Sequence, residues 1–475
     1  MKQTKIANNY IYQSTANLVS MLVPLIMTPY LSRVLGPEGI GIASFTGSVV
    51  AVFGMFAVLG AHDYGRLVIA ECGEDLQRRS QAFWEILFCK LGASLVVIPL
   101  YYLYIWSVNR YTGFFLLQSI FLLSCFTDTG WVYQGMEEFR QLAMRTIVTR
   151  IGSIFLILWF VREAGDLKTS ILIGLLTTLF SNLILFYPLR NKLCWIKLSQ
   201  LHPEKHAKAI FSFFLPILAA QLYLNIDKIM LGRFAFSIAE SGYYEQSRKV
   251  AEMITTLIVT INTVMVPRIA YLYAQKEDVQ IKKHYQNSFH FIMLLALPAA
   301  VGLFLVSDQF VLWFFGEGYE KVAVLMKLSG VMILFSCVGN FVGSQYLIPT
   351  RQQNKATVIY GITSCVNIVL NLLMIPRFFS VGAMIASLIA EGLSCAVQMR
   401  LLLSSPYRFP LFKGAHRILV GTLLMGCAVW IVQHIVSLPL TLMLFAEVVV
   451  GIVVYCACLI LMKEPIIYKL RGKEV

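Results

Sequence analysis

Charge is scarce in this chain. Charged residues make up 13% of its 475 positions, against about 25% in an average soluble protein. A chain so poor in charge, 58% hydrophobic and with a mean hydropathy of +0.72, cannot cover its own surface with polar groups. A soluble globular domain is therefore excluded and an integral membrane protein implied. The short alternating segments of a membrane barrel are also missing. Instead, apolar runs of about 17–25 residues recur from end to end, each long enough to cross a ~30 Å hydrocarbon core as a helix. Acidic residues are the scarcer charge, 25 against 39 Lys and Arg. No Gly-x-x-x-x-Gly-Lys-Ser/Thr run cradles a nucleotide, which argues against direct ATP hydrolysis by this chain. The ten cysteines fall mostly inside apolar runs without zinc-site or disulfide spacing, and read as small buried hydrophobes.

The fold class expected is all-α integral membrane, with about fourteen transmembrane helices running from 9–31 and 40–61 to 418–437 and 439–462. The first apolar run continues through Pro24 and Pro29 to Leu35 with no cleavage site, so it is read as a retained span. An even number of spans puts both termini on one side. Basic residues concentrate in the loops on that side, at Arg78 and Arg79, Arg190 to Lys208, Arg268 to Lys283 and Arg400 to Arg417. The positive-inside rule then makes that side, and both termini, cytoplasmic. The excess of positive charge follows from this bias and from attraction to anionic lipid; it does not point to nucleic acid. The longest outward loop, near 307–321, is too short for an extracytoplasmic catalytic domain. A channel, a secondary transporter or a small intramembrane enzyme remains.

Two stretches echo each other: LVPLIMTPYLSRVLGPEGIGIASF at 22–45 and FLPILAAQLYLNIDKIMLGRFAFSIAESGYYEQS at 214–247. Each has a proline early in a span, a tyrosine, Leu-Gly at the span's end, and Gly-hydrophobic at the next entry. Such similarity suggests two parallel six-helix lobes, at 1–200 and 201–410, with helices 13 and 14 and a tail at 411–475. Chance rhyme between oily segments is the alternative.

Between two oily runs lies TDTGWVYQGMEEFRQLAMR, residues 127–145. Trp131 and Tyr133 suit the headgroup level, Gly135 a tight turn, and Glu137 a helix N-terminus. The stretch reads as an elbow anchoring a helix pair, with a gating role as the alternative. Its Asp-x-x-Trp-x-x-Gln-Gly-x-Glu-x-Phe pattern resembles the Wzx-type oligosaccharide flippases of the polysaccharide transporter family, within the multidrug/oligosaccharidyl-lipid/polysaccharide (MOP) exporter superfamily. The N-terminal NNYIYQSTANLVSMLVPLIMTPYLSRVLGPEGIGIASF, then LPILAAQLYLNIDKIMLG, GYYEQSRKVAEMI and VMVPRIA, agree in order and placement. The resemblance implies alternating access by two lobes and an undecaprenyl-diphosphate-linked oligosaccharide as cargo, in the bacterial cytoplasmic membrane, for O-antigen, capsule or exopolysaccharide. It implies membrane lipids as surroundings, and a polysaccharide polymerase and glycosyltransferases as partners.

Ionisable side chains at membrane depth are costly and mark a cavity or a partner. Lys90, Arg150, Asp227, Lys228, Arg248, Lys249, Glu252, Lys327, Glu391 and Glu447 fall there, with basic residues in the majority. A diphosphate needs such a lining, and arginine offers bidentate contacts. The candidates are Arg248 and Lys249, then Arg150, Lys228 and Arg33. The alternative for each is snorkelling to an interface or local pairing, as of Arg248 with Glu252 at i, i+4. No cofactor is expected beyond a coupling ion, sodium or a proton. Related lipid II flippases build a sodium site from spans seven, eleven and twelve; the matching residues here are Asp227, Asn367, Asn371 and Ser387, with asparagine at 371 where that pattern has a carboxylate. Interhelical hydrogen bonding is the alternative.

A cation-coupled multidrug antiporter of the same superfamily is the first rival. Those antiporters that carry a carboxylate in span one use it for coupling, and residues 9–31 contain neither Asp nor Glu. A membrane-embedded polysaccharide-assembly enzyme needs a reacting constellation on a substantial loop, and none is evident.

Overall fold

In the computed structural model, residues 2–411 and 414–466 are described, 2–8 and 10 by backbone alone. Among them every regular element is helical. The first compact unit, Met1–Arg233 with Ser237–Gly242, contains α1 (Lys2–Val58), α2 (Ala61–Cys72), α3 (Leu76–Val108), α4 (Thr112–Thr127), α5 (Gly130–Gly135), α6 (Phe139–Phe160), α7 (Leu167–Leu189) and nearly all of α8 (Glu204–Phe234). The second, Phe234–Phe236 with Tyr243–Val475, holds most of α9 (Ala239–Val259), then α10 (Asn262–Ala274), α11 (Asp278–Phe314), α12 (Glu320–Phe341), α13 (Gln353–Leu403), α14 (Ala415–Ile435) and α15 (Leu440–Leu461).

Among the described residues, eleven helical stretches are long and apolar enough to cross a membrane, or twelve with α9 and α10 as one span bent by 43°. Separate runs are fewer than the fourteen expected because two pairs are joined end to end. α1 has 57 residues and α13 has 51, roughly 75–85 Å of helix against a ~30 Å core, so each is long enough for two crossings. The break in α1 lies at Gly36, with φ 67°. Pro37 follows it, and a proline drives the preceding residue out of the α region; glycine takes the positive φ without a Cβ penalty. The break in α13 lies at Phe379, three residues after Pro376.

In the first unit α1 packs on α3, α4 and α6, and α7 packs on α4 and α6. The two echoing turns meet there backbone to backbone. A Cβ on Gly41 would overlap the carbonyl oxygen of Ile238, and one on Gly242 would overlap that of Pro37. Phe45, edge-on to Phe115 at 5.6 Å, fills the space that a side chain at Gly232 would need.

Residues 127–145 form the elbow, and it is buried more deeply than its aromatic content suggests. Trp131 is 3% exposed and stacks on Phe83 at 5.9 Å; Tyr133 is fully buried. Neither sits at a headgroup-facing surface, because the apolar faces of α2, α3 and α7 close over them. The Tyr133 hydroxyl donates to the Leu185 carbonyl at 2.6 Å. Gly135 serves close approach to Ile69 and Arg66. The cap position of α6 is taken by Glu138, whose side chain caps nothing among the described residues and instead pairs with Lys192. Glu137 enters with a left-handed φ of 57°. Tyr133→Phe is expected to lower the thermal stability of the detergent-solubilised protein by about 1 kcal/mol; an unchanged melting temperature would show that the Leu185 contact contributes nothing.

In the second unit α11, α12 and α13 pack in sequence, and the α14–α15 pair lies on α11. After α12 the chain makes a π turn at Val342–Leu347, a local widening that interrupts the regular i→i+4 ladder. The carbonyl of Gln345 there accepts from the buried Tyr285 hydroxyl at 3.1 Å.

Candidate functional site

α9 is amphipathic by construction. Tyr244, Ser247, Ala251 and Ile258 recur at helical spacing and are buried, while Glu245, Arg248, Lys249 and Glu252 occupy the polar side. Arg248, with a side chain 13% exposed, reaches Glu252 Oε1 at 3.1 Å and Met332 Sδ at 3.1 Å. Lys249 reaches Glu245 Oε1 at 3.3 Å. Both cations thus carry a carboxylate one helical turn away. Such pairs are worth about 0.2–0.5 kcal/mol, so a dianionic ligand can displace them, whereas hydrogen bonds to charged groups contribute about 1.5–3 kcal/mol each.

Behind α9 a buried polar ladder runs across the second unit. The Tyr244 hydroxyl and Ser387 Oγ are 3.0 Å apart, Asn367 Nδ2 donates to Ser387 Oγ at 3.3 Å, and Asn371 Nδ2 donates to Asn367 Oδ1 at 3.1 Å. The structure therefore brings Asn367, Asn371 and Ser387 together, and adds Tyr244, which sequence reasoning missed although the helical spacing of GYYEQS puts it on the inner face. Asp227, buried on α8, belongs to the first unit. Among the described residues no three His, Cys, Asp or Glu side chains group as a metal centre. Ser247 and Ser329 lie 3.4 Å apart, and Ser336 donates to Glu391 at 2.6 Å, extending the polar interior of this unit.

The remaining candidates, Arg33, Arg150 and Lys228, lie in the first unit. Arg33 and Arg150 are exposed, and Lys228 is half-buried beside Asp227. What the sequence did not reveal in this unit is an organised charged cluster at the elbow. Lys90, sealed from solvent, donates to the carbonyls of Phe126 at 3.3 Å and Asp128 at 3.0 Å, holding the end of α4, with His62 Nε2 at 3.5 Å. Asp128 accepts from the Gly130 N–H at 2.8 Å and lies 3.8 Å from His62. Arg145 donates to Asn182, which donates to the Ser124 carbonyl. A second chain joins Tyr64, His206 and Glu85 at 2.7 Å per link.

This arrangement of interior cations on a helical membrane scaffold is matched by sequence. The family model described as polysaccharide biosynthesis protein covers residues 6–273. The chain belongs to that family. A second model, MatE, matches residues 213–373. Among curated relatives, a putative O-antigen transporter of Escherichia coli (strain K12) is 26% identical over 403 residues, covering 82% of this chain and 95% of the relative. A probable low-salt glycan biosynthesis flippase of Haloferax volcanii is 22% identical, covering 95% and 94%. Among solved structures, the lipid II flippase MurJ in an inward closed conformation aligns with a TM-score of 0.72 at 14% identity, over 98% of this chain and all of that one. An inward-facing multidrug resistance MATE transporter aligns at 0.64, with 14% identity, over 86% and 95%. The fold is that of the MOP superfamily, as the sequence resemblance implied.

Proposed function

We propose that this protein is a flippase that carries an undecaprenyl-diphosphate-linked oligosaccharide across the bacterial cytoplasmic membrane by alternating access, supplying repeat units for O-antigen, capsule or exopolysaccharide. The observation that carries the reading is the family match together with Arg248 and Lys249, two adjacent cations on the polar side of α9, each paired with a carboxylate one helical turn away. The headgroup crosses while the polyprenyl tail stays in the bilayer, and Arg150, Lys228 and Arg33 assist the diphosphate on its route. Both termini lie in the cytoplasm, where glycosyltransferases build the cargo; a polymerase consumes it outside. The chain acts as a transporter and not as an enzyme.

Binding energy alone cannot move cargo in one direction, so a sodium ion or proton gradient, the membrane potential or consumption of the product supplies the drive. For sodium, Asn367, Asn371 and Ser387 offer neutral oxygens, already engaged with one another and with Tyr244, and Asp227 the one carboxylate. That donor set suits a hydrogen-bonded ladder better than a closed cation cage, and no transport step is assigned to a bound ion. The antiporter reading is disfavoured by the absence of a carboxylate at 9–31 and by the basic interior.

The test is reconstitution of the full chain in liposomes loaded on one side with an undecaprenyl-diphosphate oligosaccharide, with lectin added outside. Lectin-accessible cargo is expected to rise with protein present. No rise, together with proton- or sodium-driven export of a cationic dye, would overturn the reading in favour of the antiporter.

A further inference from the structure

A cavity of about 690 Å³ opens where α10, α11, α14 and the segment after α15 come together in the second unit. These are the helix ends that carry the basic loops, well away in sequence from Arg248 and the polar ladder. Its floor is apolar, with Ile261, Met265, Phe291 and Ile466 among the lining residues. Its polar lining includes His416 and Arg417 in the first turn of α14.

Two independent features call for an anionic ligand with hydrogen-bond acceptors. Ser288 lines the cavity and is 2% exposed, yet its Oγ has no hydrogen-bond partner among the described residues. A buried hydroxyl left unpaired costs about 1–3 kcal/mol, a cost that a bound acceptor removes. The second feature is the N-terminus of α14. Its cap residue is Gly414, at φ 80° against His290, and no side chain caps the first turn among the described residues. The Arg417 N–H is already bonded to the Gly414 carbonyl at 3.2 Å, and the dipole of a 21-residue helix favours an anion at this end.

The carboxylate in the cavity wall does not compete. Glu464 is fully buried and bound to His290 Nε2 at 2.8 Å, with Arg417 at 3.7 Å. Burial pushes the Glu464 carboxyl up, but His290 and Arg417 outweigh it and hold the group below the ordinary carboxylate value. Glu464 therefore fixes residues 464–466 to α11 and α14 and leaves the α14 N-terminus, with His416 as a hydrogen-bond donor beside it, to the ligand.

We propose that this cavity binds the phosphodiester headgroup of an anionic membrane phospholipid, with Ser288, His416 and the first turn of α14 on the phosphate and Ile261, Met265 and Phe291 on the upper acyl chain. The cavity is several times larger than a phosphate ion and half-walled by apolar side chains, which matches an amphiphile and not a free anion. Basic pockets between helices at the cytoplasmic ends of membrane bundles suit such headgroups. The inference is independent of what the protein transports.

The experiment uses the full chain, purified in detergent and stripped of lipid, then mixed with phosphatidylglycerol or phosphatidylcholine of identical acyl chains. Native mass spectrometry counts bound lipid and tryptophan fluorescence follows unfolding. Phosphatidylglycerol is expected to be retained in preference and to raise the melting temperature. His416→Glu, a change at an exposed position, is expected to weaken that retention about fivefold or more, with phosphatidylcholine unaffected. Ser288→Ala removes the orphan hydroxyl with little change of volume, and is expected to weaken retention as well should His416→Glu fail to fold. Equal retention of the two lipids would overturn the proposal, as would undiminished preference in both variants. An equal stabilisation by inorganic phosphate alone would make this a free-anion site and overturn the lipid assignment.

Discussion

Replacing Arg248 and Lys249 together with alanine is expected to reduce translocation of lipid-diphosphate oligosaccharide in proteoliposomes by roughly a hundredfold, with little change in fold. Each residue can donate charge-assisted hydrogen bonds to a phosphate, and the loss of one such bond costs about 1.5–3 kcal/mol, or about tenfold or more in rate or affinity. The intrahelical pairs to Glu252 and Glu245 that are broken with them are worth about 0.2–0.5 kcal/mol each, and the melting temperature reads whatever else the two side chains hold. The two single variants distinguish geometry from charge. Arg248→Lys keeps the charge but loses the planar fork, so it is expected to be impaired, whereas Lys249→Arg is expected to transport. Unimpaired translocation by the double variant, with the melting temperature retained, would move the diphosphate off α9 and leave Arg150, Lys228 and Arg33 as its contacts. Loss of translocation accompanied by a lowered melting temperature would mean instead that Arg248 serves the packing against Met332.

Gly41→Ala is expected to destabilise the first unit by about 3 kcal/mol or more, at the upper end of overpacking costs. The added Cβ meets the carbonyl of Ile238. A backbone group cannot rotate aside as the end of a long side chain can, so the turn itself must move. Gly242→Ala, which meets the carbonyl of Pro37, is expected to behave in the same way. The double variant should cost less than the sum of the two, because both single changes separate the same pair of turns. Scanning fluorimetry of the three purified proteins, set beside Gly174→Ala, whose Cβ meets nothing, would decide it. A melting temperature for Gly41→Ala within error of Gly174→Ala would show that the two turns do not pack as described.

The glycines also show where sequence reading succeeds and stops. The echo between 22–45 and 214–247 was legible as a repeated pattern, and Gly41 and Gly242 stood out in it. That the two turns press against one another was not legible, because a repeat in sequence does not say which copies touch. The elbow shows the same limit. Its composition pointed to a helix-pair anchor with Trp131 and Tyr133 at the headgroup level, but not to the burial of both rings among neighbouring helices. An amphipathic ring satisfies its polar tip equally well against a buried carbonyl, as Tyr133 does with Leu185, and only the neighbouring helices determine which. Likewise, Arg248–Glu252 was readable as an i, i+4 pair because helix geometry is local, whereas Lys90 holding the end of α4 and His206 bridging Tyr64 to Glu85 join residues 28–142 positions apart.

By itself the sequence determined the membrane environment, the helical class, the residues forced to carry charge at membrane depth and the family. Hydropathy and charge act locally and add along the chain, so their sums are readable without a structure. Only the tertiary structure decided that expected spans fuse into α1 and α13, that Asn367, Asn371, Ser387 and Tyr244 form one ladder, and that Ser288 is left with a buried hydroxyl at a cavity. Those outcomes depend on which faces meet after the chain has turned back on itself, and contacts of that kind are set by the shapes of distant segments packed together.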